Sequence, residues 1–248
     1  MRAYLAEFLS DPRVVELPRW LWLPVLHGLV LRKRPAESAK KYAKVWTAAG
    51  SPLAVHTARQ ADLLRAATRL PVEYAMRYGD PGIASALRKL PADPRIVPLY
   101  PQYARSTTES IRDVVGPKAD FVEQFHAHPG YIVALAALVA EIPDVLVMSF
   151  HGLPQRAVAR GDPYRAQCER TAQLLAAALR LRPDQYRVTF QSRFGPARWL
   201  QPYTSDVLAE LGAARTRRVH VLCPGFVADC LETLEEIAIE GRQIFVAA

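Results

Sequence analysis

The sequence predicts an α/β fold: two similar Rossmann-like domains with parallel sheets and a cleft between them. Three observations carry the prediction. Apolar, β-rich runs alternate with amphipathic helical stretches along the whole chain, the pattern of strands buried on both faces by crossover helices. The chain has 248 residues, half of them hydrophobic, enough for one large or two small cores. The two halves also repeat a local theme. Met76-Arg77-Tyr78-Gly79 and Ser192-Arg193-Phe194-Gly195 each form an Arg-aromatic-Gly turn, each followed further on by an apolar run ending in proline, Leu99-Tyr100-Pro101 and Leu222-Cys223-Pro224.

The elements follow in order. Strands are expected at 72–77, 95–100, 144–149, 186–191 and 218–223. Helices are expected near 36–47, 57–69, 81–90, 106–115, 131–141, 163–181, 204–211 and 228–241. The domains divide as 1–117 and 118–248. The strand ending at His151 has no counterpart in the first half, where the chain opens on a helix-like stretch and a leading strand is missing. Residues 17–34 form an apolar lip: Trp20 to Leu29 is greasy, interrupted by Pro24 and Gly28, which should break a helix, and followed at once by Arg32-Lys33-Arg34. Apolar residues flanked by cations suit a membrane surface, although a buried core helix competes. The stretch from Trp20 to Leu31 is too short to span a bilayer.

The net charge of +8 comes from basic residues scattered through helices, without the interleaved basic and aromatic surface of a nucleic-acid module, so no nucleic-acid partner is expected. Three cysteines, Cys168, Cys223 and Cys230, make neither a CxxC motif nor a disulfide framework. With no signal peptide at the start, the expected setting is the cytoplasm, with peripheral contact at the inner face of the membrane.

Two segments carry chemistry. Val145–Phe150 is an apolar strand ending in an imidazole, His151, on the Gly152-Leu153-Pro154 turn. Strand ends of open α/β sheets are where sites gather, and imidazole accepts a proton near neutral pH. A histidine that merely fills a turn is the plain alternative. In the second segment Glu232, Glu236 and Glu240 stand four residues apart, so on an α-helix each is only about 40° round from the last. Asp229 with Glu232 reads as a capping box, which accounts for Glu232 but not for Glu240 at the negative end of the helix. A solvated acidic face is the commonest fate of such a row. His126-Ala127-His128 places its rings on opposite sides of a strand, so the pair does not share a metal ion.

These residues resemble the ferrochelatase family. The resemblance rests on Ser149-Phe150-His151-Gly152-Leu153-Pro154 with Gly161-Asp162-Pro163-Tyr164, on Phe190-Gln191-Ser192-Arg193-Phe194-Gly195 with Trp199-Leu200, and on Gly225-Phe226 through Asp229-Cys230-Leu231-Glu232-Thr233-Leu234. In the first half Tyr4–Asp11, Gly50-Ser51-Pro52-Leu53, Met76-Arg77-Tyr78-Gly79 and Tyr100-Pro101-Gln102-Tyr103 also fit, in order. Three departures stand out. The family's opening strand with a Leu-Gly-Thr-Pro-like turn and the segment after the glutamate helix are both lacking, and Cys230 stands where many relatives have a second histidine.

The resemblance implies a chelatase-type fold and insertion of ferrous iron into protoporphyrin IX to give protohaem, a step of haem biosynthesis. Ferrous iron is then a substrate, with no organic cofactor and no iron–sulfur cluster. It implies that His151 and Glu232 bind the metal or take the pyrrole protons, and that Glu236 and Glu240 line a path for protons or metal. Arg77, Tyr103, Trp199 and Phe226 would contact the porphyrin, Arg77 through a propionate; Trp199, Phe226 and Tyr103 could equally be core aromatics, and Arg193 is open either to a propionate or to a structural ion pair. Which of His151 and Glu232 takes proton and which metal is left open. The alternatives are a chelatase for another metal and tetrapyrrole, or a non-catalytic or truncated tetrapyrrole-binding relative.

Overall fold

The computed structural model describes residues 1–248. The chain divides into two compact units. The first comprises Met1–Pro98, Arg105–Glu123 and Ala228–Leu231; the second comprises Leu99–Ala104, Gln124–Val227 and Glu232–Ala248.

The second unit is a three-layer α/β structure around a three-stranded parallel sheet. Strands β1 (Val145–His151), β2 (Tyr186–Gln191) and β3 (Val219–Leu222) lie in the order β2-β1-β3. The central strand β1 is buried along all but its last residue, as expected of a strand covered on both faces. Its side chains alternate between two cores. Leu146, Met148 and Phe150 join Leu135, Cys168, Ala172 and Leu175, while Val145 and Val147 join Val207, Leu208 and Leu211. Helices α7 (Pro129–Ala137) and α9 (Tyr164–Ala178) thus cover one face of the sheet, and α10 (Thr204–Ala213) and α11 (Arg242–Ala247) cover the other. A short helix α8 (Gln155–Ala159) follows the β1 turn. The register of β1 with β2 sets His151 directly beside Gln191.

The first unit is helical: α1 (Arg2–Ser10), α2 (Arg19–Val25), α3 (Leu31–Val45), α4 (Pro52–Thr68), α5 (Ile83–Leu87) and α6 (Ser110–Val115). Its core is small, Leu5, Leu9, Leu26 and Leu31 with Trp22, Leu23 and Phe8 packed against them. The strands expected at 72–77 and 95–100 do not form. Only single bridges occur there, Met76 with Gly82 and Ile96 with Phe121. The comparison with the second unit gives the reason. There β1 occupies the centre and both neighbours bond to it. No segment of the first unit plays the part of β1, so the extended stretches have no ladder to join.

The lip also differs from expectation. Pro24 and Gly28 do not break the helix. The chain stays helical from α2 into α3 through a π-turn at Leu26–Val30, whose wider i→i+5 pattern absorbs the register change that a proline forces. One side of this element is core, with Leu26 and Leu31 buried and the Trp22 Nε1–H donating to the Leu9 carbonyl at 2.7 Å. The other side is open, with Trp20 79% and Leu29 67% exposed.

Candidate active site

His151 ends β1 half-buried, and its seat is built from backbone and core. The Gly152 N–H donates to the Gln191 carbonyl at 2.7 Å, bending the chain across the end of β2. The Tyr164 hydroxyl donates to the His151 carbonyl at 2.9 Å. Burial pushes the Tyr164 phenol well above its usual range, so it remains a donor. The His151 Nδ1 lies 2.7 Å from the Gly152 carbonyl. A carbonyl oxygen can only accept, so Nδ1 carries the hydrogen and Nε2 carries the lone pair. His151 is therefore held as the tautomer that accepts a proton or a cation at Nε2.

The Phe226 ring lies 6.4 Å from the His151 ring at 49°. Its loop is braced from behind. The Pro224 carbonyl accepts from Gln102 Nε2 at 3.0 Å and from the Tyr131 hydroxyl at 2.9 Å, and the Phe226 N–H closes a turn on Cys223.

The glutamates stand on a π-helix, Glu232–Gly241, which runs on into α11. The α-helix expected from 228 is corrected on two counts. The helix starts at Glu232, too late for Asp229 to serve as its N-cap, so the capping-box account of Glu232 falls away. The wider turn then changes the geometry of the row. In an α-helix a four-residue step overshoots a full turn, and in a π-helix it falls just short, so Glu232, Glu236 and Glu240 still share a side. All three are half-buried, and Glu235 between them is 1% exposed.

Glu236 sits in a cage of donors. The Ser192 N–H donates to its Oε1 at 2.7 Å, the Ser192 hydroxyl donates to Oε2, and Gln191 Nε2 reaches Oε2 at 3.3 Å. Ser192 aims both of its donors at one carboxylate from the left-handed region, φ 65°. Nothing in the sequence marks a serine for that conformation, and the cage was not anticipated. Gln191 Nε2 also donates to the Glu232 carbonyl at 2.9 Å. Glu236 and Glu240 line a cavity of about 130 Å³ together with Ser192, Arg193, Tyr203 and Thr204.

Trp199 is buried under the His151 turn, its Nε1–H donating to the Phe194 carbonyl at 3.0 Å and its ring 5.0 Å from Phe194, so it supports the turn from within. Tyr103 is half-buried, its N–H held by Gln167 at 2.7 Å. Arg193 lies over the Tyr203 ring at 4.1 Å.

In the first unit, Arg77 is engaged with protein through part of its guanidinium. Its Nε donates to Ser110, and one of its terminal nitrogens pairs with Asp11 at 2.7 Å. Tyr78 and Ser110 donate to the same buried carboxylate at 2.8 and 2.6 Å. Burial pushes the Asp11 carboxyl up, but the hydrogen bonds from Ser110, Tyr78 and the Arg13 N–H, with the Arg77 charge, outweigh it and hold the group below its usual value. The guanidinium supplies the counter-charge that the buried carboxylate demands.

His126 and His128 share nothing: His126 is buried, while exposed His128 caps α7 by accepting from the Gly130 N–H at 3.2 Å.

A family model described as Ferrochelatase matches residues 1–248. The ferrochelatase of Azoarcus sp. strain BH72 is 54% identical over 271 residues, covering all of this chain and 75% of the relative. The ferrochelatase of Aromatoleum aromaticum is 52% identical over 273 residues, and that of Nitrosomonas europaea 50% over 273 residues, with the same coverage.

Proposed function

The chain belongs to the ferrochelatase family, and from that premise we propose how its residues divide the work. The enzyme is a metal chelatase, a lyase of haem biosynthesis that inserts ferrous iron into protoporphyrin. Ferrous iron and protoporphyrin IX are the substrates, protohaem and two protons the products, and no organic cofactor is consumed. Iron bonds to all four ring nitrogens and only two of these carry a hydrogen, so two N–H bonds break and two protons must be taken up as the cation arrives. His151 Nε2 accepts a pyrrole proton, because its neighbour Nδ1 is committed to the Gly152 carbonyl. Glu232 takes the complementary role, receiving the second proton or releasing the metal. Glu236 and Glu240 connect Glu232 to the cavity behind them and pass protons or cations along it. Phe226, beside His151, and Tyr103 offer apolar contact to the macrocycle.

The observation that carries this reading is the pairing at the sheet end. Gln191 is the register partner of His151, and its side chain holds the Glu232 carbonyl at 2.9 Å. The strand residue paired with His151 thus also holds the glutamate helix, which begins 81 positions further along the sequence. His151→Ala tests the assignment. Anaerobic insertion followed by the visible spectrum should show turnover lost, with porphyrin affinity changed by less than about tenfold, because the substitution removes chemistry rather than apolar contact. Turnover at the wild-type rate would remove His151 from the mechanism.

We also propose that the lip meets a membrane surface at the inner face of the cytoplasmic membrane, where an apolar porphyrin dissolves. Trp20, Leu21 and Leu29 are exposed and Arg32-Lys33-Arg34 follows them. No helix is long and apolar enough to cross a membrane. Trp20→Ser with Leu29→Ser should weaken sedimentation with anionic vesicles about tenfold and leave turnover on detergent-dispersed porphyrin intact; unchanged binding would refute the contact.

A further inference from the structure

We infer that Gln191 is a positioning residue for the reaction: the last member of a one-directional buried hydrogen-bond chain, it locks the glutamate helix in place beside His151. The inference rests on the reading of His151 and Glu232 given above and adds a residue to it.

The chain can be followed donor by donor. The amide of Gln191 orients itself, since its Nε2 faces two acceptors that cannot donate, the Glu232 carbonyl and the Glu236 carboxylate. Its Oε1 must then accept, and it does so from the Ser149 hydroxyl at 2.6 Å, with the Cys223 sulfur 3.8 Å away. Having donated its one hydrogen, Ser149 accepts from Thr204 at 2.8 Å, and Thr204 accepts from Thr189 at 2.9 Å. Every hydrogen runs the same way, Thr189 to Thr204 to Ser149 to Gln191 to Glu236. Such an aligned chain polarises each member and strengthens the last bond.

All four neutral members are buried. Each is too costly to bury for packing alone, where valine or leucine would serve better. Together they tie β1, β2 and the start of α10 to the π-helix. The backbone of Gln191 completes the junction, its carbonyl accepting the Gly152 N–H that turns the chain after His151. An amide cannot pass a proton onward as a hydroxyl can, so the chain ends at Gln191 as an anchor. It fixes where Glu232 and Glu236 stand without draining the protons they receive.

Two variants test this, read by kcat against KM and by amide hydrogen exchange. Gln191→Leu removes the donors. Gln191→Glu keeps the shape and the Ser149 contact but turns an acceptor oxygen toward the Glu232 carbonyl and the Glu236 carboxylate. If Gln191 positions the helix, kcat falls by about 30-fold in both, the loss of one bond to a charged group, with KM for porphyrin within threefold. Exchange across residues 232–241 then quickens at least about tenfold while α9 is unchanged. Ser149→Ala, which touches neither glutamate, should lower kcat in the same direction by about threefold. Wild-type kcat and unchanged exchange at 232–241 in Gln191→Glu would overturn the inference, and that variant decides it should Gln191→Leu fail to fold. The exchange measurement needs no turnover, so it still decides the role of Gln191 if His151→Ala shows the reading of the site to be mistaken.

Discussion

Gly152→Ala is the sharpest test of how the histidine is seated. A Cβ at position 152 would stand 2.7 Å from the Gln191 carbonyl oxygen and 3.1 Å from a ring carbon of Trp199. Neither neighbour can give way easily. The carbonyl belongs to β2 and accepts the Gly152 N–H itself, and the indole is fixed through its Nε1–H to Phe194. The turn must therefore lift off the sheet. Overpacking of this kind costs about 1–3 kcal/mol, and loss of the N–H bond to Gln191 adds about 1 kcal/mol, so we expect destabilisation of about 3 kcal/mol. For a chain of this size that lowers the melting temperature by about 6–12 °C. Because His151 is carried on the same turn, a displacement of about 1 Å also costs about 100-fold in kcat. Calorimetry with an anaerobic insertion assay measures both. The control is Gly28→Ala, where a Cβ meets nothing within 4 Å, and it should change neither quantity. A Gly152→Ala protein that melts with the wild type and turns over normally would refute the claim that close backbone approach sets the position of His151.

Two further outcomes follow from packing and charge. Asp11→Asn leaves Arg77 without its counter-charge and should destabilise the first unit by about 3 kcal/mol near neutral pH. Because the Asp11 carboxyl is held below its ordinary 3.8, its contribution is complete above that value and is lost as pH falls through the lower folded value, so denaturant titrations of wild type and variant should converge in strong acid and diverge above pH 3.8. A constant gap would show that the charge is not what matters. Gly212→Ala puts a Cβ 2.4 Å from the Phe245 carbonyl oxygen, where α10 and α11 touch, and should cost about 2 kcal/mol in thermal unfolding; a neutral substitution would mean that α11 is free to shift.

The second unit was legible in the sequence because its strands are nearly unbroken apolar runs with helices between them. β2 falls at 186–191 as read, and β1 runs two residues beyond the expected 149, carrying His151 into the ladder itself. The first unit misled for a physical reason: Val72 and Ile96 sit in runs with strand composition, but a strand exists only with a partner, and composition does not report one. The π-helix was invisible because glutamates spaced by four suit both kinds of helix. The Arg77–Asp11 pair was not legible because nothing local shows that Asp11, 66 positions away, is buried and takes the guanidinium as its counter-charge. The Ser192 cage and the Gln191 chain escaped for the same reason, being made by residues of ordinary type brought together from four elements.

The unequal cores of the two units have a consequence for how the molecule comes apart. The second unit has a three-stranded sheet sandwiched between helices, whereas the first rests on a core of four buried leucines, on ion pairs and on stretches of backbone with no ladder. Opening free energy is therefore graded along the chain rather than shared by all of it. On gentle warming, a protease meets cleavable loops among the first hundred residues while the sheet that bears the imidazole is still intact, so loss of intact chain precedes loss of the sheet's circular-dichroism signal.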